Sequence, residues 1–501
     1  MEISTQQSFT PVNENSRIRS DGFFGHPKGL LPIGGVELWE RLSFYGLQGI
    51  LAYFIYYSVS HGGLGLDQST AVGITGSYGA GVYLIQPVGA WIADRVIAPR
   101  YVTLLGATVV MTGHVMLALL SGLSGLLVGL ALIVIGTGLL TPTVYAMVGA
   151  LYVDANRTRD RDSGFYLFYG GIQIGAFLGP IVTGYLQTRV GFHAAFSAAA
   201  IGMALGIVFL LCGWKLLPAS SRVVPNPISR AGRLMVVAAA VFAVLLMSVL
   251  VSSSTITLAN INHYVLVLVA IVVVLCFANI IRSKEVSNSE RQKVVRFIPI
   301  FFASVVFELF FLSLFTTLAI YADTRVDLAL GSWEVPPSYI SSVVVLTGIT
   351  FSIIISATLK RHGGRRPSAF IVLGIALCGL AMAYALFAIY PLFYGEGNKI
   401  GVLPVVLSLA LFGVAQITFT PLVMSQASEA APRSHQASMM AIYSLTMAAG
   451  SGLSGFVAQY YSEENEIIFF ALSACAILVM AIALFAINFS KARANNSASA
   501  G

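Results

Sequence analysis

Glu37, Glu40 and Arg41 in one apolar run, and Glu308 in another, are charged side chains set inside otherwise hydrophobic sequence. A charge at the centre of a bilayer costs about 2.5–3.5 kcal/mol on insertion scales, so such residues point to function by default. Glu37 and Arg41 are four apart and Glu37 and Glu40 three apart, which on a helix puts all three head groups on one face and within reach of one another. A carboxylate beside an arginine and a second carboxylate can exchange a proton for a salt bridge. The competing reading is a self-satisfied ion cluster that only fixes helix packing. Two acids for one base leave a surplus carboxylate that a low dielectric disfavours in its charged form, and this favours a proton site. Glu308, in Phe307-Glu308-Leu309-Phe310, has no basic residue within its own helix and therefore either faces a wet cavity or carries a proton. His114 stands among Met, Val and Leu and reads as hydrogen-bonded structure rather than a relay.

The elements that must position these residues are membrane spans. Of the 501 residues, 57% are hydrophobic and only 10% charged, with a mean hydropathy of +0.84; a soluble domain carries about 25% charge. Tyr101 to Val153 contains no Asp, Glu, Lys or Arg. A span needs roughly 20 residues, so that stretch holds two, broken at Ser121-Gly122-Leu123-Ser124-Gly125. The same reading along the chain predicts about fourteen helices, near 29–57, 69–94, 101–121, 125–152, 163–187, 191–214, 232–252, 259–281, 297–321, 336–359, 367–391, 401–428, 435–460 and 467–489. The class is an all-α polytopic membrane protein embedded in a lipid bilayer.

An even number of spans puts both termini on one side. Of the 28 Lys and Arg, Arg189, Arg325 and Lys399 lie opposite the termini and Arg41 lies within a span; the other 24 share the side of the termini. That asymmetry places both termini in the cytoplasm, and it makes the net charge of +7 a topology signal rather than a nucleic-acid footprint. Residues 1–28 lack the apolar core of a cleavable signal. Cys212, Cys276, Cys378 and Cys475 sit in apolar spans without metal-ligand spacing and read as buried structural thiols.

Basic runs flank a segment at about 216–296 and divide the chain. The expected organisation is a cytoplasmic tail (1–28), a six-helix bundle (29–215), a linker carrying an accessory hairpin of two spans (216–296), a second six-helix bundle (297–490) and a cytoplasmic tail (491–501). The hairpin has no Asp, Glu, Lys or Arg between 234 and 281 and only one His, His263, and offers little with which to bind a polar solute or a proton. Thr141-Pro142 recurs as Thr420-Pro421, and Tyr169 with Gly175 recurs one residue wider as Tyr443 with Gly450. Parallel repeats of this kind belong to two-bundle transporters whose solute site lies between the halves at mid-membrane.

Glu37-Leu-Trp-Glu40-Arg41-Leu-Ser-Phe-Tyr45-Gly46 resembles the ExxERFxYYG motif of the proton-dependent oligopeptide transporter family, with Leu42 and Phe44 as departures. Further stretches are similar to the same family in order and spacing: Tyr83-Leu-Ile-Gln-Pro87 leading to Gly89-Ala-Trp-Ile-Ala-Asp94-Arg95, Arg161 to Phe177, Tyr321-Ala-Asp323, and Trp333 to Ser338. The resemblance spans about residues 22–460 and implies the major facilitator fold, with two six-helix bundles rocking about a central cavity. It also implies import of di- and tripeptides with protons, no cofactor or metal, and no enzymatic activity. Carried over by motif, the proton-coupling residues are Glu37, Glu40 and Arg41, with Glu308 as the added candidate. Tyr45, Gln48, Tyr83, Thr141, Tyr169, Gln173 and Gln416 would line the solute cavity.

The departures bear on substrate. Where the family has a first-span arginine, a fourth-span lysine and a tenth-span glutamate, this chain has Gln48, Thr141 and Gln416; the family's FEQ reads Phe311-Leu312-Ser313 and its INxG asparagine is Gln173. Charge-assisted bonds to both ends of a peptide give way to neutral ones, roughly half as strong. Glu308, one turn before Leu312, could replace the missing carboxylate. One proton moving through 100 mV supplies about 2.3 kcal/mol, enough for roughly 50-fold accumulation of a neutral solute, and no GxxxxGK(S/T) phosphate loop is present. A paralogue carrying a non-peptide neutral or cationic solute, and a non-transporting sensor, remain as alternatives. A polytopic enzyme would need a cluster of His, Asp or Cys near one membrane face, and the loops show none.

Overall fold

The computed structural model describes residues 22, 24–154, 161–361, 368–395 and 397–499. Sixteen α-helices carry the chain: α1 (Leu30–Tyr56), α2 (Gln68–Leu84), α3 (Gln86–Arg95), α4 (Pro99–Leu119), α5 (Gly122–Asp154), α6 (Arg161–Arg189), α7 (Phe192–Cys212), α8 (Arg230–Ser252), α9 (Ile261–Arg282), α10 (Asn288–Phe311), α11 (Thr317–Arg325), α12 (Tyr339–Arg361), α13 (Ala369–Tyr394), α14 (Val402–Ala430), α15 (Gln436–Ala458) and α16 (Glu466–Ser499). Eleven segments among the described residues are long and apolar enough to cross a membrane, with α10 to α11 forming one of them. The others with the length to do so are α1, which carries the three charges, the interrupted pair α2 and α3, and α12.

Two predicted spans are broken in the structure, each for a local reason. The expected helix over 69–94 ends at Leu84 and restarts at Gln86, because Pro87 lacks an N–H and its ring crowds the carbonyl of Tyr83. The expected helix over 297–321 starts earlier, at Asn288, behind a capping box in which Ser287 and Glu290 satisfy each other's backbone N–H groups. It then tightens into a 3₁₀ turn at Leu312–Phe315. There Ser313 Oγ bonds the Phe310 carbonyl at 2.7 Å and Tyr384 Oη at 2.5 Å, while Thr316 Oγ1 pairs with Ser454 Oγ at 2.7 Å. Side chains thus supply hydrogen bonds where the α-helical ladder stops.

Buried apolar residues gather into two main clusters, one drawn chiefly from α1 to α7 and the other from α10 to α16. The two helix groups meet where α2 packs on α15 and where α6 packs on α12. A Cβ on Gly76 would meet Gly455 Cα at 2.5 Å, so glycine is what lets α2 and α15 approach so closely. Helix α9 lies against both α2 and α15, with Asn262 Nδ2 donating to the Gly73 carbonyl at 3.2 Å. Helix α8 exposes Leu234, Met235, Val237, Phe242 and Leu245, an apolar surface suited to lipid.

Side-chain hydrogen bonds joining the two groups gather at one end of the molecule, the C-terminal end of α1. Tyr53 Oη donates to the Ala319 carbonyl at 3.0 Å, and Tyr57 Oη to Asp323 Oδ1 at 2.6 Å, with Tyr56 Oη donating to the other oxygen. Ser338 Oγ and Ser342 Oγ reach the carbonyls of Pro180 and Phe177 at 3.1 and 2.8 Å. Toward the opposite end Tyr166 and Tyr169, in the second and third turns of α6, are exposed. The two groups are thus tied together by side-chain hydrogen bonds at the C-terminal end of α1.

Cys212 and Cys475 are exposed and Cys276 and Cys378 half-buried, so the expectation of buried thiols is corrected: an apolar span in a membrane protein also turns residues outward, toward lipid. Arg325, expected in a loop, is fully buried, its Nε 2.6 Å from Glu466 Oε2 and its guanidinium donating also to the Asn398 carbonyl. This pair ties α11 to the start of α16. Arg325→Ala leaves Glu466 buried without its cation, a loss of roughly 3–5 kcal/mol. A melting temperature in detergent lowered by about 5 °C is the expected result, and an unchanged melt would remove the pair from the account of stability.

Candidate functional site

Helix α1 places Glu37, Glu40 and Arg41 on the face turned toward α5, all three buried. Arg41 Nε lies 3.1 Å from Glu37 Oε1 and 2.6 Å from Glu40 Oε2. Two threonines one turn apart on α5 complete the cluster: Arg41 Nη2 donates to Thr141 Oγ1 at 2.8 Å, and Thr137 Oγ1 donates to Glu40 Oε1 at 3.1 Å. On the other side α6 approaches so closely that a Cβ on Gly175 would meet Arg41 Cβ at 2.9 Å, which fixes the arginine's backbone against a second helix. Phe44 lies under the guanidinium, 5.3 Å from ring centroid to Cζ. The result is one cation shared by two carboxylates in a dry setting, an arrangement that can hold one net negative charge or one added proton.

Glu308 is almost fully buried on α10, and α15 is pressed against it: a Cβ on Gly450 would contact the Glu308 backbone at 2.8 Å, and one turn away Ser304 Oγ donates to Thr446 Oγ1 at 3.1 Å. No hydrogen bond or ion pair joins Glu308 to another described residue, and its oxygens are not among the sealed polar atoms of the interior. Four tyrosines stand within electrostatic range of it: Tyr45 from α1, Tyr83 from α2, Tyr169 from α6 and Tyr443 from α15. Tyr45 is also in range of Arg41, Glu37 and Glu40 and so lies between the two acidic centres. Its ring meets that of Phe315, in the 3₁₀ turn, at 6.3 Å.

Tyr45, Tyr83 and Tyr169 thus lie within electrostatic range of Glu308, whereas other residues expected beside them lie elsewhere. Thr141 belongs to the ion cluster. Gln48 is buried at the junction of α1, α2 and α15, its amide 3.2 Å from where a Gly79 Cβ would sit, and its Oε1 has no partner among the described residues. Gln173 and Gln416 are half-buried, Gln416 where α14 crosses Gly348 of α12. His114, expected to be hydrogen-bonded, is fully buried with neither ring nitrogen partnered among the described residues. Thr137 and Tyr443 were not anticipated as site residues. Thr137 could have been found one helical turn before Thr141, and Tyr443 through its repeat relation to Tyr169. Among the described residues no group of three His, Cys, Asp or Glu side chains could hold a metal ion.

Comparison with known proteins shows the family. A model of the POT family (PTR2) matches residues 100–483. An uncharacterised transporter of Bacillus subtilis, YclF, is 33% identical over 92% of this chain and 94% of its own length. A di-/tripeptide transporter of Lactococcus lactis is 32% identical over 93% of this chain and 96% of its own. Among solved structures, the peptide transporter POT in complex with sulfate superposes with a TM-score of 0.87 at 34% identity, covering 93% of this chain and 95% of that one. A POT family transporter in complex with 5-aminolevulinic acid gives 0.86 at 31%, covering 93% and 97%. With the family model covering most of its length and relatives aligned nearly end to end, this chain is a multi-pass membrane transporter belonging to the POT family.

Proposed function

We propose that the protein is a proton-coupled symporter that imports di- and tripeptides across the plasma membrane by alternating access. The observation that carries this reading is the buried cluster of two carboxylates and one guanidinium on α1. Such a cluster gains and loses a proton at low electrostatic cost, because Arg41 can satisfy either acid in turn. A relative named as a di-/tripeptide transporter supports the peptide substrate. The moving parts are the bundles at 29–215 and 297–490, joined through the hairpin-bearing linker at 216–296. With the tails 1–28 and 491–501 in the cytoplasm, as the sorting of basic residues favours, the sealed end of the molecule is the outer one.

In this scheme Glu37, Glu40 and Arg41 carry coupling, and Glu308 is the second proton-coupling carboxylate, belonging to the other bundle. Tyr45, Gln48, Tyr83, Tyr169, Gln173 and Gln416 line the solute path, while Thr141 acts on it through Arg41. The second reading, a non-peptide neutral or cationic solute, is favoured by one observation: Arg41 is held by Glu37, Glu40 and Thr141, so among the described buried residues of α1 and α5 no guanidinium is left free for a peptide carboxylate.

Uptake of a labelled dipeptide into liposomes under an inward proton gradient tests the proposal, beside Glu40→Gln protein. Concentrative uptake that the variant loses is the expected outcome. No uptake by folded parent protein would refute the peptide substrate, and a proton-flux assay, silent for a non-transporting sensor, would separate a sensor from a carrier.

A further inference from the structure

Helix α9 enters the seam between the two helix groups, although the sequence marks its hairpin as accessory. At the end of the molecule where α1 finishes, α2, α9 and α15 meet around three glycines, Gly73 and Gly76 of α2 and Gly455 of α15. A Cβ on Gly455 would come within 2.6 Å of Asn262 Nδ2 and 2.8 Å of Gly76 Cα, so a larger residue there leaves no room for the asparagine. Asn262, the second residue of α9, is fully buried, and its Nδ2 donates to the Gly73 carbonyl at 3.2 Å. Three residues farther along α2, Ser451 Oγ of α15 donates to the Gly76 carbonyl at 3.1 Å.

The contacts of α9 with its two neighbours differ in kind. Toward the second helix group they are packed side chains. His263 stands edge-on to Phe456 with ring centroids 5.4 Å apart, and a Cβ on Gly452 would meet Leu266 Cδ2 at 2.8 Å. Farther down, Phe277 meets Phe301 of α10 edge-on at 5.3 Å. Toward α2 the bond from Asn262 stands out because it can break at little cost. The Gly73 carbonyl also accepts from Ser77 Oγ at 2.7 Å, so it keeps a partner when Asn262 leaves. Asn262 Oδ1 is sealed without a partner among the described residues, and it gains water once the seam parts. Breaking the bond therefore strands neither group.

We infer that α9 moves as part of the second helix group and that Asn262 is its latch across the seam, engaged on Gly73 while this end of the molecule is closed and released when it opens. The hairpin is then a working part of the closure rather than a passenger. The inference rests on the alternating-access reading for the existence of an open state, and its test separates the two.

The test uses full-length protein in lipid nanodiscs, with the native cysteines replaced and spin labels in pairs at the exposed positions Ser69 of α2, Ala259 ahead of α9 and Glu464 behind α15. Asn262→Leu and Asn262→Ala each remove the amide. Loss of one interhelical hydrogen bond shifts a two-state balance by about 3- to 20-fold, so the longer Ser69–Ala259 distance should gain by that factor while Ala259–Glu464 keeps one distance. A second arm preserves the closed packing. A Cβ on Gly73 would stand 3.9 Å from Asn262 Cβ, within disulfide spacing, and would displace only the amide end of Gln459. Oxidised Gly73→Cys, Asn262→Cys protein should exchange the amide hydrogens of α11, on the far side of this end, at least about threefold more slowly than the same protein after reduction. The reduced protein is its own folding control. A Ser69–Ala259 distribution unchanged in both variants, an Ala259–Glu464 distance that splits as the end opens, or equal exchange before and after reduction would each overturn the latch. Ser69–Glu464 reports the opening itself: two distances whose ratio ignores Asn262 would refute the latch alone, whereas one short distance in the parent and every variant would refute alternating access with it.

Discussion

In Arg41→Gln protein, accumulation of a carried solute is expected to fall from roughly 50-fold under 100 mV to the equilibrium ratio of one, the full drive that a single proton supplies. Glu37 and Glu40 are both inaccessible and share Arg41 as their only cation among the described residues. Without it, two neighbouring carboxylates in a low dielectric cannot both be charged, and the protein keeps its proton instead of releasing it on the far side. Exchange of labelled for unlabelled solute needs no net proton movement and should persist within about threefold, since the variant leaves Tyr83, Tyr169 and Glu308 untouched. Measuring both in the same liposomes distinguishes uncoupling from misfolding. Concentrative uptake close to the parent's would show that coupling resides elsewhere, with Glu308 the next candidate.

The cluster was legible in sequence because its chemistry is written within one helix: the spacing of 37, 40 and 41 fixes a shared face regardless of what surrounds it. What surrounds it was not. Thr141, marked by its place in a motif as a cavity residue, instead accepts from Arg41, and Thr137 holds Glu40. Motif position states where a residue lies along a helix but not its rotation against a neighbour a hundred residues away. The same limit explains Gln48, whose helix turns it into the junction with α2 and α15 rather than into open space. Most span ends emerged from hydropathy to within a few residues, but α10 starts nine residues before the expected 297 and α16 ends ten after the expected 489. The interruptions at Gln86 and Leu312 did not emerge, because apolar content is unchanged across a break that proline or a hydroxyl network produces. Arg325 shows the converse: its charge placed it in a loop, whereas Glu466, distant in sequence, lets it be buried.

Asp323→Asn is expected to open the sealed end. Both oxygens of this carboxylate accept phenol hydrogen bonds, from Tyr56 and Tyr57 at the end of α1, and Tyr53 one turn earlier donates to the backbone of α11. These bonds join the two helix groups at the face away from the termini, so they exist only while that face is closed. Hydrogen bonds to a charged group contribute about 1.5–3 kcal/mol each, and neutral ones about half as much. An amide at 323 also presents an N–H₂ to one of the two phenols in place of an acceptor. A net loss of about 1.5–3 kcal/mol from the closed state shifts its balance with the open state by roughly 10- to 100-fold. Spin labels at Ser60 and Ser332, both exposed near this end, report that balance as two inter-label distances, with the native cysteines replaced beforehand. The longer distance should become the major one in Asp323→Asn and in the paired Tyr56→Phe, Tyr57→Phe variant, which removes the same bonds from the other side. An unchanged distribution in both would mean that the α2–α15 and α6–α12 contacts hold the face shut without this carboxylate. The direction of the effect on transport follows from the cycle: a carrier that rests open to the outside binds external solute more readily but returns empty more slowly, so apparent affinity rises while maximal uptake falls.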